Sequence, residues 1–491
     1  MANKTGILEK DGALLINGQQ ATGGASDAEN VAYVGSVNAD NVGDAIDALK
    51  GEVDTVAASS GALTQIQRIQ NYLDKSDQDK NGGATGFRSL RFVHVTDTHA
   101  TSSATSIVGQ DLLKDGNNKT RADFMVITGD VISQFGAGYD PGILTPMKAL
   151  NKPCYMCLGN HDVAASIGTV DGKKVQYNSF TNEERWKYFF NGGDAYDAST
   201  PPKEGSLDAN NAAKDPGYTP SGKTYFSVNY DFNTAGQRVV TKDGVTKYYN
   251  DNGEEVSAAS GARLLTSRYK LIFLDLHDGI DRYAGPGAGT TNCVTADDDT
   301  VVSVPGAQSG YPSQEQVQWF INELANANSN GRCILVFLHT APGHVTGKVV
   351  ENWKDYDALP YNSASVFAEI VQAYLDGGAK TVTYRGTDYS LNWGSHNTFA
   401  GWFCGHTHWD CYGWLDAYPM QPVFCSTRTG QLDDNEMVGN FGSVVNVANR
   451  YVDAANYVMV EADPGRVSVV RYGNTMTKMG VKRDAMYINF K

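Results

Sequence analysis

The chain has 491 residues, of which 41% are hydrophobic and 19% charged, enough apolar side chain for a packed body and too much for wholesale disorder. Forty Lys and Arg stand against 55 Asp and Glu, and the resulting net charge of −15 argues against a nucleic-acid coat or a polybasic membrane binder. No apolar run approaches the ~18 residues of a membrane-spanning helix, and the opening stretch MANKTGILEKDGALLINGQQ has no apolar signal core, so neither a span nor a secretory signal is expected.

Residues 1–80 contain no Trp, Phe or His and are rich in Ala, Gly, Asn, Asp and Ser. Within them Val42, Ile46, Leu49, Val53 and Val56 recur at alternating steps of four and three, an a/d seam that lasts about two heptads. Leu63, Ile66, Ile69 and Leu73 then restart a helical apolar face. Two readings stay open: an amphipathic helix packed on the main body, or a short stalk that makes a homo-oligomer through residues 40–75. The polar, Gly-paired run DQDKNGGATG at 77–86 reads as a linker. The expected organisation is therefore an N-terminal helical or coiled-coil segment with linker over 1–84, and a main domain over 85–491.

After the linker the pattern becomes α/β. LRFVHVTD (90–97), FMVITGD (124–130), CYMCLGN (154–160), YKLIFLDL (269–276), CILVFLH (333–339) and AGWFCGH (400–406) are short β-rich runs, several ending in a polar residue or Gly as buried strands do when they feed a loop. Cys154 and Cys157 form a C-x-x-C without a second pair, and are expected to be small buried hydrophobes rather than zinc ligands. SQEQVQWFINELANA (313–327) opens on a Ser with Gln three residues on, and SVFAEIVQAYLDGG (365–378) closes on a Gly pair, so both predict capped helices. Asp243-Gly244 and Asn252-Gly253 are hairpin turn signals and predict an inserted hairpin, about 233–268, projecting from the body.

Polar residues gather where the strands end: Asp97-Thr98-His99, Gly129-Asp130, Gly159-Asn160-His161-Asp162, His339, and Gly405-His406-Thr407-His408. In open α/β folds the ligand crevice lies at the carboxyl ends of strands. One such His or Asp alone would be an ordinary hydrogen-bonded residue, but five strand ends in series make a pattern. A donor set of carboxylate, amide oxygen and imidazole, with no thiolate, suits Mn²⁺, Fe or Zn²⁺ better than Mg²⁺ or Ca²⁺. Seven candidate ligands exceed one tetrahedral shell and fit two ions sharing a carboxylate. The glycines before Asp130, Asn160 and His406 permit tight turns or close backbone approach beside the site.

The ordered set D-x-H, G-D, G-N-H-D, a lone His and G-H-x-H resembles the calcineurin-like metallophosphoesterases over roughly residues 88–465. That resemblance implies a four-layer αββα sandwich with two divalent metal ions, Mn, Zn or Fe, at the strand ends. It implies that Asp97, His99 and His408 hold the first ion, that Asn160, His339 and His406 hold the second, and that Asp130 bridges them. It further implies that His161 sits by the leaving-group oxygen as general acid, with Asp162 orienting it, and that a metal-bridging hydroxide attacks the phosphorus. The Tyr that colours purple acid phosphatases is replaced by Ser133, so ferric-tyrosinate chemistry is not expected. Among the other histidines, His94 and His396 are expected to be structural, His277 echoes D-x-H after Asp275 without further partners, and His344 is placed to flank a cleft. Trp402 is expected in the core, and Trp409, Tyr412 and Trp414 either in the core or along a substrate wall.

The motifs fix phosphate-ester hydrolysis but do not choose between monoesters and diesters. VAYVGSVNADNVGDAIDALKGEVDTV resembles the anchor segments of bacteriophage tail and other virion proteins. That likeness implies an oligomeric tail enzyme, located in the virion beside other virion proteins and cutting phosphodiesters in a cell-surface glycan polymer. The alternatives are a cytoplasmic nucleotide or small-molecule phosphodiesterase, and a receptor-binding virion protein that uses the fold as a scaffold.

Overall fold

Residues 90–95, 124–128 and 154–157 are uninterrupted apolar or β-branched runs, apart from one Arg and one His, and all three form fully buried strands. The computed structural model describes three short strands before residue 21 and residues 88–98, 122–131, 152–279, 294–295, 312–346, 365–406, 411–426, 454–473 and 485–490, with brief gaps. The chain divides into two units, residues 1–68 and 69–491. In the first, Ile7–Lys10, Ala13–Ile16 and Gln19–Gln20 form a small antiparallel sheet. The a/d seam and the boundary expected at residue 84 lie outside the described residues.

The second unit contains two large sheets. In chain order its main elements are β1 (Leu90–Val95), β2 (Phe124–Thr128), β3 (Cys154–Cys157), α1 (Asn182–Phe189), α2 (Leu207–Lys214), β4 (Phe226–Phe232), β5 (Arg238–Lys242), β6 (Val245–Tyr249), β7 (Tyr269–Phe273), α3 (Gln314–Asn330), β8 (Cys333–Phe337), α4 (Ser365–Asp376), β9 (Phe399–Cys404), β10 (Cys411–Leu415), β11 (Pro422–Cys425), β12 (Ala454–Glu461), β13 (Arg466–Gly473) and β14 (Ala485–Asn489). One sheet has six strands in the order β14-β13-β12-β1-β2-β3, with β1, β2 and β3 parallel. The other has ten strands, among which β7, β8, β9 and β11 are parallel neighbours and β4 joins β7 antiparallel. The parallel strands of both sheets are buried on both faces, which is why they read as continuous apolar runs rather than alternating ones.

The sheets pack face to face through aromatic rings. In the ten-stranded sheet Phe226, Phe273, Phe337, Phe403 and Phe424 occupy register positions on adjacent strands and stack in a row, with centroids 4.4, 4.8, 5.2 and 5.0 Å apart. Phe92 of β1 meets that row edge-on at Phe337 and Phe403, at 5.5 and 5.2 Å. Offset and edge-to-face pairs of this kind add about 0.5–1.5 kcal/mol each beyond the area they bury. The opposite face of the ten-stranded sheet is covered by α3 and α4, whose Val317, Phe320, Leu324, Phe367, Ile370 and Tyr374 pack on Ile272, Ile334, Val336 and Trp402.

The fold is thus a mixed α/β sandwich of two sheets with helices outside one of them. The helical layer expected over the other sheet, between β1, β2 and β3, falls on residues outside those described.

Both capped helices form. Ser313 accepts from the Gln316 amide at 3.0 Å, and α3 ends at Gly331 in the left-handed region. The hairpin forms over the Asp243-Gly244 turn, where both residues have positive φ as a two-residue turn of that kind requires. It does not project from the body. β5 pairs with the end of β4, so the insertion extends the ten-stranded sheet at its edge. The physical reason is the free backbone edge of β4, which an antiparallel hairpin satisfies.

Candidate metal centre

Every described candidate ligand sits two or three residues beyond the carboxyl end of a parallel strand. Asp97 follows β1, Asp130 follows β2, Asn160 follows β3, His339 follows β8 and His406 follows β9. Asp97, Asp130 and His406 take φ values of 53°, 50° and 69°, three of the five non-glycine residues with positive φ among those described. Backbone strain of this kind persists where the surroundings over-determine it, and it gathers at functional sites.

The side chains converge. His339 Nε2 lies 3.0 Å from Asn160 Oδ1, 3.2 Å from Asp130 Oδ2 and 3.2 Å from His406 Nδ1. His406 Nδ1 is 2.9 Å from Asn160 Oδ1, and Asp97 Oδ1 is 3.9 Å from His339 Nε2. The ligand atoms of Asp130, His339 and His406 all lie within 4.8 Å of one another, and His339 and Asp130 are buried.

The tautomer of His339 is set by its other nitrogen. Nδ1 donates to the Thr128 carbonyl at 2.7 Å, which leaves the Nε2 lone pair facing the group in the neutral ring. Asn160 Oδ1 and the Asp130 carboxylate also have only lone pairs to offer. A cluster of acceptors at such distances fits a cation between them. Burial alone would lower the His339 pKa, but the carboxylates of Asp130 and Asp97 outweigh it and push it up to about 9.

A layer of local bonds holds these ligands. Thr96 donates its hydroxyl to Asp97 Oδ2 at 2.7 Å, with the Thr128 carbonyl at 3.2 Å, and the His406 amide donates to the same carboxylate oxygen at 2.9 Å. Asp162 Oδ2 accepts from the amides of Gly159 at 2.9 Å and Val131 at 3.2 Å, tying the loop after β3 to the loop after β2. Three glycines are required by space: a Cβ on Gly129 would lie 2.5 Å from His339 Nδ1 and 2.8 Å from the Gly159 amide nitrogen. A Cβ on Gly405 would fall inside the Thr96 hydroxyl and 2.6 Å from Asp97 Oδ2, and one on Gly159 would collide with the backbone and carboxylate of Asp130.

The structure therefore brings together Asp97, Asp130, Asn160, His339 and His406. Asp162 lies beside them, with its carboxylate bracing backbone amides. His99, His161 and His408 lie outside the described residues, as do His344, His396 and Trp409. Thr96 and the Thr128 carbonyl were not anticipated, since nothing in a Thr before Asp or in a backbone oxygen marks a site.

The other side chains sort simply. His94 is buried and shares a hydrogen bond with Thr128 Oγ1 at 2.9 Å. His277 is 1% exposed, and its pKa is lowered to about 4, first by burial and against the pull of Asp275. It is not part of the ligand triad. Asp275 forms a buried ion pair with Arg185 at 3.1 Å and accepts from Thr224 at 2.6 Å. Trp402 and Tyr412 are core residues, and Trp414 is exposed. Cys154 and Cys157 are buried thiols whose pKa values burial pushes up, to about 12 for Cys154, so they are poor metal ligands.

Comparison with known proteins gives a family match and a distant structural likeness. Residues 90–255 match the family described as Calcineurin-like phosphoesterase, less than half of the chain. The match contains Asp97, Asp130, Asn160 and Asp162 and stops before His339 and His406. A dimetal phosphatase from Danio rerio resembles the structure with a TM-score of 0.40 and 11% identity, over 82% of this chain and 99% of that one. No curated protein matches the chain.

Proposed function

We propose that the second unit is a dinuclear-metal phosphodiesterase. The observation that carries this reading is the convergence of Asp130, Asn160, His339 and His406 on one point, with Asp97 beside them, inside a segment that matches the calcineurin-like phosphoesterases. The coarser statement, a metal-dependent phosphoester hydrolase, follows from the match and the triad together. Preference for diesters and the identity of the ions belong to the proposal.

Asp97, Asp130, Asn160, His339 and His406 would hold the divalent ions, with His99 and His408 as further ligands. When bound, such ions supply Lewis acidity toward a phosphoryl oxygen and toward water. The chain's own residues do the rest. Thr128 fixes the His339 ring, Thr96 and the His406 amide aim Asp97, and Asp162 locks the loop that presents Asn160. His161 follows Asn160 directly and is assigned the proton delivered to the leaving oxygen.

We further propose that residues 1–84 oligomerise the chain and attach it to a virion, so that the enzyme meets a phosphodiester-containing polymer at a cell surface. The short a/d seam and the absence of Trp, Phe and His from residues 1–80 support this reading.

The test is turnover of a chromogenic diester against the matching monoester after Mn²⁺ loading, with bound metal counted by mass spectrometry. Wild type is expected to hold about two ions per chain and to favour the diester. Asp130→Asn and His339→Ala should lose metal and at least a hundredfold in turnover, whereas His161→Ala should lose turnover and keep metal. An active Asp130→Asn protein would refute the assignment.

A further inference from the structure

His277 lies in the core at the end of the sheet that carries the metal centre. β7 and β8 run parallel in register, with Phe273 opposite Phe337, and the Leu274 amide carries the pairing on to the Phe337 carbonyl at 2.9 Å. Asp275 and His277 therefore leave β7 at the same end at which His339 leaves β8. The charges that act on the His277 ring include those of His339 and Asp130, after those of Asp275 and Arg185.

The loop that holds this ring is pinned from three sides. Gln316 of α3 donates to the Asp275 carbonyl at 2.7 Å and accepts from the Asp275 amide at 3.0 Å. Arg185 of α1 donates to the His277 carbonyl at 3.1 Å and pairs with the Asp275 carboxylate at 3.1 Å. That carboxylate also accepts from Thr224, just before β4, at 2.6 Å and from the His277 amide at 2.8 Å. It is not the partner of the ring, because Nδ1 stands 3.8 Å from Asp275 Oδ1, beyond hydrogen-bond reach. Both ring nitrogens are buried, and neither has a hydrogen-bond partner in the protein. A loop held this firmly does not swing the ring out to solvent. A neutral imidazole offers one N–H and one lone pair, and buried polar groups of this kind are ordinarily met by ordered water.

We propose that His277 is a positioning residue of the metal centre: its ring N–H donates to buried water, and that water donates to the Asp130 carboxylate, holding it in the orientation that bridges two ions. This role presupposes that Asp130 is the shared metal ligand. A carboxylate has about four lone-pair sites, so Asp130 can accept such a bond and still bind metal.

Mn²⁺ affinity of the full chain, read by competition with a fluorescent indicator, tests the role beside the melting temperature of the metal-free protein. His277→Leu should bind Mn²⁺ about 10–100-fold more weakly. Its melting temperature should equal or exceed that of wild type, because no side-chain hydrogen bond within the protein is lost. His277→Gln or His277→Asn, whose amide nitrogen stands near Nε2 or Nδ1, should restore most of the affinity, and the variant that does so identifies the donating nitrogen. A crystal structure of the metal-free full chain should show ordered water bonded to the ring and to Asp130. A purely structural histidine would give the reverse pattern, a lower melting temperature with unchanged Mn²⁺ affinity, and that would overturn the proposal. Ring nitrogens without water in the crystal would overturn it too, and this arm decides even where His277→Leu does not fold. A wild type that binds no Mn²⁺ would overturn the metal centre as well, whereas Mn²⁺ binding unchanged in His277→Leu would overturn this role alone.

Discussion

Thr128 serves the metal centre with its carbonyl oxygen and Thr96 with its hydroxyl, and neither contributes a ligand. Their effect is to fix a tautomer and a carboxylate orientation before any ion arrives. Partners of this kind typically change metal affinity 10–100-fold. Thr96→Val keeps the shape and removes the hydroxyl, so metal affinity should fall within that range while the fold persists, which competition with a metal indicator would read. Gly405→Ala acts at the same place with greater force. The added Cβ has no room beside Thr96 and Asp97, so one of the loops must move. Overpacking costs about 1–3 kcal/mol, and here the displaced atoms include a candidate ligand. Loss of stability in urea together with loss of bound metal is expected. Full metal content in Gly405→Ala would show that the Asp97 loop adjusts freely.

Among the elements, α2 covers an exposed sheet edge and α3 covers a sheet face. Asn211 of α2 donates to the Cys154 carbonyl at 2.8 Å and accepts from its amide at 2.9 Å, so one side chain replaces a strand partner on β3. Asp208 is buried on the same helix, with the Tyr218 hydroxyl donating to it. Burial raises its pKa from 3.8 to about 7, against the opposing hydrogen bonds from Tyr218 and Trp186. The native state therefore holds a proton that the unfolded chain releases earlier, and stability falls as pH rises from about 4 to about 7, then levels off. Asp208→Asn should melt higher than wild type at pH 8 and equal to it near pH 4. An equal offset at both pH values would refute the protonation account. These roles were not legible in the sequence, because Asn211 and Cys154 are 57 residues apart. The strands, α3, α4 and the hairpin turn were legible because apolar runs, capping residues and Asp-Gly are local signals. The candidate ligands were legible for the same reason, each lying just past its own strand. The bonds that hold them were not, since Asp162 to Val131 and Thr96 to Thr128 join different strands across the sheet.

At the scale of the whole chain, the division into residues 1–68 and 69–491 separates a segment whose only aromatic residue is Tyr33 from one with two stacked aromatic sheet faces. The two have different physical means of stability. The second unit buries an extensive core of its own, whereas a segment of fewer than about 80 residues so poor in aromatic side chains has little to build one from, and the proposed pairing with copies of itself would supply what it lacks. Removing residues 1–84 should therefore leave turnover of a small diester and the melting temperature of the main transition nearly unchanged. The same deletion should convert an oligomer into a monomer. Sedimentation velocity of the full and shortened chains, run beside the diester assay, reads both quantities in one preparation. A full chain that is already monomeric would remove the stalk, and with it the main support for a virion anchor. A shortened chain that precipitates or melts several degrees lower would instead show that the helical face at Leu63, Ile66, Ile69 and Leu73 packs on the catalytic unit, and the reading of a cytoplasmic diesterase would gain.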